Sequence, residues 1–250
     1  MSEQGIKILS QSLGSVMFNF ASIKNFRALS STGLEQSRDE LYDEQLTAVL
    51  QLLRSPDGDK YLIKEKLLEK FTPAGFAQFV ADNRLKKAQA SIDAASIIFA
   101  HTILDSVLFQ LCEVTTIIDP SRWDDEIKDR KISFSEIKDS NPEQIRLHLL
   151  KKKLAEIERS SLLEKCDILY RRCQVTSVIE HEKYQYSRDK LAVFDTIRHD
   201  VVHGRLAPDK GIDNIEELLS YAENTGVHFV LMVSNGYDTK MDPNYIVSNI

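Results

Sequence analysis

A chain of 250 residues with 42 % apolar side chains is large enough to bury a core, and with nine Gly and six Pro it lacks the regular turns an all-β protein needs. Its net charge of −6 excludes binding of nucleic acid through overall charge, and three cysteines without CxxC spacing indicate neither a disulfide framework nor a zinc site. No apolar run reaches the ~18 residues of a membrane span and no signal-peptide pattern opens the chain, so the expectation is a cytoplasmic, helical protein with no membrane.

Residues 1–37 form an expected N-terminal appendage. SVMFNFASI is rich in strand formers and LSSTG is loop-like, which suggests a short hairpin or extended arm. From Asp39 the period becomes helical, with Leu46, Val49, Leu50 and Leu53 on one face before the SPDG turn. A second helix is expected over Tyr61–Phe71, and Pro73 sits where it starts a third. Ser91–Val114 is apolar almost all round and is expected to be the central, buried helix. His101 and Asp105 share a face of it at i, i+4, the spacing of a buried polar pair. Asp119-Pro120-Ser121 breaks the chain. Asn141 then caps a helix that begins at Pro142 and runs to about Arg159, followed by a short helix over Ser161–Cys173. Tyr186–His203 is a strong helix stopped by Gly204, and Ile212 to about Val233 is the last, with a disturbance expected at Gly226. The expected layout is all-α: an appendage at 1–37, a helical bundle over 38–235, and a short irregular tail over 236–250.

Charge is uneven along the chain. Leu206–Ile250 carries a net −5, whereas Arg146–Arg172 holds eight basic residues against four acidic ones and includes Lys151, Lys152 and Lys153 in succession. The basic stretch suits either a solvated helix face or phosphate contact, since phosphate binding depends on local charge.

The helix LAVFDTIRHDVVHG carries the strongest chemical pattern. With Arg198 set at 0° and ~100° per residue, Leu191, Phe194, Ile197, Val201 and Val202 fall on one arc that contains the arginine. A guanidinium there calls for a carboxylate, a phosphate or a subunit interface. Asp195, His199 and His203 form a polar stripe along the flank of that arc, at about 60°, 100° and 140°. Arginine and histidine together meet the needs of RNA cleavage without a metal, because the substrate's 2′-hydroxyl is the nucleophile and the protein supplies only proton transfer and charge stabilisation.

In RHDVVH, Arg198 and His203 resemble the R-x4-6-H motif of the HEPN superfamily, with His199 at the polar position that the family more often fills with Asn or Asp. The resemblance implies a HEPN-like helical bundle, a homodimer, and metal-independent endoribonuclease activity in a toxin–antitoxin or phage-defence setting, with no cofactor and no metal. It further implies Arg198, His203, His199 and Asp195 as the catalytic set, with Lys151, Lys152, Lys153 and Arg205 binding RNA and His101 and Asp105 supporting the site. A cognate antitoxin or sensor protein would be the partner. Three alternatives stay open on the residues alone. His199 and His203 have the i, i+4 spacing of metal ligands, though no third ligand is placed. Arg198 can pair with an internal carboxylate while both histidines favour the helix C-terminus. A HEPN-like module can also bind RNA or protein without catalysis.

Overall fold

The computed structural model describes residues 3–54, 69–133, 140–174, 186–206 and 211–247. Every regular element among them is helical. In chain order these are α1 (Glu3–Gln36), α2 (Arg38–Arg54), α3 (Pro73–Ile118), a 3-10 turn (Pro120–Trp123), α4 (Asp124–Ile127), α5 (Pro142–Glu158), α6 (Leu162–Cys173), α7 (Arg188–Val202), α8 (Ile215–Gly236) and α9 (Pro243–Val247). The SPDG turn and most of the helix expected at 61–71 lie outside the described residues.

The first 37 residues differ most from the sequence expectation. Glu3–Gln36 is a continuous helix in place of a hairpin or arm, and Leu9, Val16, Phe20 and Ile23 are buried along it at helical spacing. Packing of its first two thirds overrides the strand preference of the local residues. The chain continues almost directly into α2, bridged by the backbone bonds Ser37 N to Gly33 O (3.1 Å) and Leu41 N to Ser37 O (3.0 Å).

Thr72 caps α3 by accepting from Gly75 N at 3.1 Å, and Pro73 opens it as expected. The helix then runs for 46 residues, about 69 Å at 1.5 Å per residue, absorbing the predicted central segment Ser91–Val114 into a longer rod. Ser12 meets Gln110 (3.4 Å), Arg27 meets Asp93 (2.9 Å) and Arg38 meets Asp82 (3.0 Å). Each step forward along α1 and α2 is a step back along α3, so the three form a long antiparallel hairpin. The most apolar part of α3 averages 1.6 in hydropathy over 18 residues, enough by length and composition to cross a membrane, with 39 % of it buried inside the protein. Ile97, Ala100, Leu104, Leu108 and Leu111 of that helix are inaccessible to solvent and form the bundle core.

α8 fills the groove between α1 and α3. It passes Gly226 unbroken, because that glycine is where three helices approach: a Cβ there would stand 3.0 Å from Val16 and 3.7 Å from Leu104. Lys24 binds Glu223 at 2.6 Å, and Arg27 binds Glu216 as well as Asp93, tying α1 to α8. The tail is partly ordered: α9 lies along α1, where Ser10 Oγ accepts from Asp242 N at 2.9 Å.

α5 and α6 start where their caps dictate. Asn141 and Gln144 form a reciprocal capping box, and Ser161 accepts from Glu164 N at 3.2 Å. Both helices pack near the C-terminal half of α3, where Cys112, Cys166 and Cys173 are buried. Burial raises all three thiol pKa values, to about 12 for Cys112 and Cys173. A thiol held neutral in the folded chain but ionising near ~8.5 when unfolded stabilises the fold below that pH and stops doing so as pH rises towards about 12. Native protein at about pH 8 should therefore leave a thiol-reactive dye uncoloured until denaturant is added, and urea midpoints should fall steadily above that pH. Rapid labelling of the native chain would contradict this burial.

Candidate active site

Ser187 starts α7 by accepting from Lys190 N at 3.4 Å, and its carbonyl accepts the Tyr221 hydroxyl at 2.6 Å, which fixes the helix start against α8. Leu191 and Phe194 are fully buried and hold the middle of α7. The far end stops as the sequence indicated: Gly204 takes φ +62°, a left-handed turn, while His203 N donates to His199 O at 3.0 Å and Arg205 N to Asp200 O at 2.9 Å.

Arg198 is half-buried on the face that carries Leu191 and Phe194. Among the described residues it has no hydrogen bond or ion pair. The carboxylates near it in sequence are engaged elsewhere: Asp195 with His101 at 2.8 Å, and Asp200 with Arg205 at 3.6 Å. Among the described residues, then, the internal ion pair that was one reading of the sequence is not formed. His199 and His203 are exposed, with ring centroids 4.2 Å apart. Among the described residues, no three His, Cys, Asp or Glu side chains form a metal-holding group.

His101 enters this neighbourhood by a route the sequence did not reveal. It does not pair with Asp105. Its Nε2 lies 2.8 Å from Asp195 Oδ1 and its ring stacks on Phe194 at 6.0 Å, so α3 contributes a third imidazole, held by a carboxylate about one helical turn from Arg198. The His101 side chain is 13 % exposed and that of Asp195 41 %, which leaves the pair open to water from the carboxylate side. Asp105 turns to the other flank of α3 and meets Lys165 Nζ at 2.5 Å.

The lysine run lies elsewhere. Lys151 borders a cavity of about 390 Å³ with Thr116 and Ile117, some 15 residues and about 22 Å along α3 from His101. Lys152 is exposed and Lys153 is held 2.8 Å from Glu126. Much of the basic stretch is neutralised by one acidic turn: Arg146 binds Asp124, Arg172 binds Asp125, and Arg171 and Arg172 reach Glu126. Hydrogen bonds from Arg172 hold the Asp125 carboxyl below its ordinary range. Burial pushes the other way at Glu126, but Lys153, Arg171 and Arg172 together prevail and lower it. Arg205, by contrast, is exposed beside the Arg198 helix end.

The arrangement combines a half-buried guanidinium with no partner among the described residues, exposed imidazoles at a helix end, and a carboxylate-oriented imidazole on the adjoining helix. Comparison with protein-family models, with curated proteins and with solved structures gives no match to this chain.

Proposed function

We propose that the chain is a metal-independent endoribonuclease of HEPN type, working as a cytoplasmic homodimer in a toxin–antitoxin or phage-defence setting. The observation that carries this reading is Arg198, a half-buried guanidinium with no partner among the described residues, on the same helix end as two exposed histidines. Arg198 would bind the non-bridging oxygens of the scissile phosphate and stabilise the charge that grows there as the 2′-hydroxyl attacks. His203 would move the proton, as acid or base, and His199, 4.2 Å away, would share or orient it. Asp195 would keep His101 oriented as a supporting imidazole, and Arg205 would bind a flanking phosphate. The products would be a 2′,3′-cyclic phosphate and a free 5′-hydroxyl, the leaving oxygen taking up the proton that histidine delivers.

A two-fold dimer suits this sparse set, because symmetry would place a second Arg–His pair beside the first. Val202 is 48 % exposed and lies only ~40° round the helix from Arg198, giving that flank an apolar element for a subunit contact.

The deciding experiment is cleavage of a labelled single-stranded RNA in excess EDTA by the wild type and Arg198→Ala. Cleavage by the wild type alone, with cyclic-phosphate ends, supports the reading. Activity abolished by EDTA would favour a metal bound at His199 and His203, and tight RNA binding without cleavage would favour a non-catalytic module.

A further inference from the structure

The flank of α7 turned away from Asp195 borders an open groove of about 360 Å³ between α7 and the first turns of α8. Its floor is apolar: Val193 and Ile197 from α7, Leu218 and Tyr221 from α8. Val193 is 54 % exposed, an unusual position for a valine on a helix whose other face is buried. Val193 and Ile197 are four residues apart on α7, and Leu218 and Tyr221 three apart on α8, so each helix presents an apolar pair to the groove.

The rim carries an acidic excess: Asp189, Asp213 and Glu217 stand against Lys190. Asp189 and Asp213 have no hydrogen bond or ion pair among the described residues. Glu217 stands 3.9 Å from Lys190 with both side chains well exposed, a pairing that contributes little. Elsewhere on α8 the pattern is the opposite, for Glu216 and Glu223 are neutralised by Arg27 and Lys24. The carboxylates facing α1 are satisfied, whereas Asp189 and Asp213 have no partner among the described residues and Glu217 has only a distant lysine.

We propose that this groove receives an amphipathic helix from a partner protein, with apolar anchors in the centre and Lys or Arg along its edges. Apolar side chains at i, i+3, i+4 and i+7 would cover Val193, Ile197, Leu218 and Tyr221, and the basic edges would meet Asp189, Asp213 and Glu217. The sign of the rim opposes nucleic acid and anionic lipid at the same place. The occupant grips α7 about 100–140° round from Arg198, so it touches the helix that bears the candidate active site without covering the arginine. Docking here does not require the Arg198 site to cut RNA.

The test uses a fluorescent helical peptide of Leu anchors and Lys edges carrying a photo-crosslinker, beside a version with Glu edges and a scrambled version of the Leu/Lys composition. The full chain should bind the Leu/Lys helix at least about tenfold more tightly than either control, with cross-links confined to residues 189–197 and 213–221. Val193→Lys, and separately Asp213→Lys with Glu217→Lys, should each weaken binding about tenfold with unchanged circular dichroism. Equal binding of the scrambled peptide, cross-links outside the groove, or undiminished binding by the variants would overturn the proposal. It would also fail if light scattering showed a wild-type dimer that Val193→Lys made monomeric and to which no peptide bound, since a second copy would then be the occupant.

Discussion

On the ribonuclease reading, His203→Ala is expected to lower the rate of RNA cleavage by roughly 10²- to 10⁴-fold, the usual contribution of a positioned general acid or base. The fold should survive the change. His203 is exposed at the C-cap of α7, and the contact it makes there, its backbone N–H to His199 O, is one that alanine retains. Loss of a favourable charge at the helix end costs at most ~1 kcal/mol when the ring is protonated. Circular dichroism and thermal midpoint should accordingly stay near the wild type while activity collapses. The pH–rate profile should lose one of its limbs. A variant that cleaves within about threefold of the wild type would remove His203 from the mechanism, given the size of effect expected.

The second large effect concerns stability. Asp105→Ala is expected to destabilise the bundle by about 3–5 kcal/mol, because it strands Lys165 without its counter-charge in a fully buried position. Glu158 O, at 3.1 Å, would remain as an acceptor but carries no full charge. Lys165→Met should cost far less. Methionine fills much of the lysine stem's volume, and Asp105, 36 % exposed, can turn its carboxylate to water. The order of the two urea midpoints tests the argument independently of the absolute values. If Lys165→Met unfolds earlier than Asp105→Ala, burial of the ammonium is not what makes this pair costly to break.

Local signals were legible where a single residue type settles a backbone conformation. Asn141 with Pro142, Ser161, and Gly204 at φ +62° stop or start helices where the sequence indicated. The placement of Arg198 on an apolar arc was readable from helical angle alone, and it is half-buried on that face. α1 was obscured because its buried face includes Ser10 and Ser12 as well as Leu9 and Val16, which dilutes the apolar period, while Val16, Met17 and Phe18 imitate a strand. Ser12 settles its hydroxyl on Ile8 O at 2.9 Å, a solution invisible in a hydropathy pattern. Pairings between elements were also hidden. The i, i+4 spacing of His101 and Asp105 suggested mutual contact, but α7 and α6 pass on different flanks of α3 and each takes one of the two. The lysine-rich stretch looked like a phosphate surface because Asp124, Asp125 and Glu126, its counter-charges, precede it in the chain by some twenty residues or more.

The bond between Lys24 and Glu223 spans 199 positions of sequence, and that between Arg27 and Glu216 spans 189. During synthesis at about 5–20 residues per second, the first helix therefore waits roughly 10–40 s for its partner to leave the ribosome. In that interval Leu9, Val16, Phe20 and Ile23 can be sheltered only by α3 or by a chaperone. The support that α8 gives to α7 through Tyr221 spans only 34 positions and follows within roughly 2–7 s at that rate. A message interrupted before codon 215 would thus yield a chain whose first helix lacks part of its apolar cover and whose α7 lacks its brace, a ready substrate for proteases.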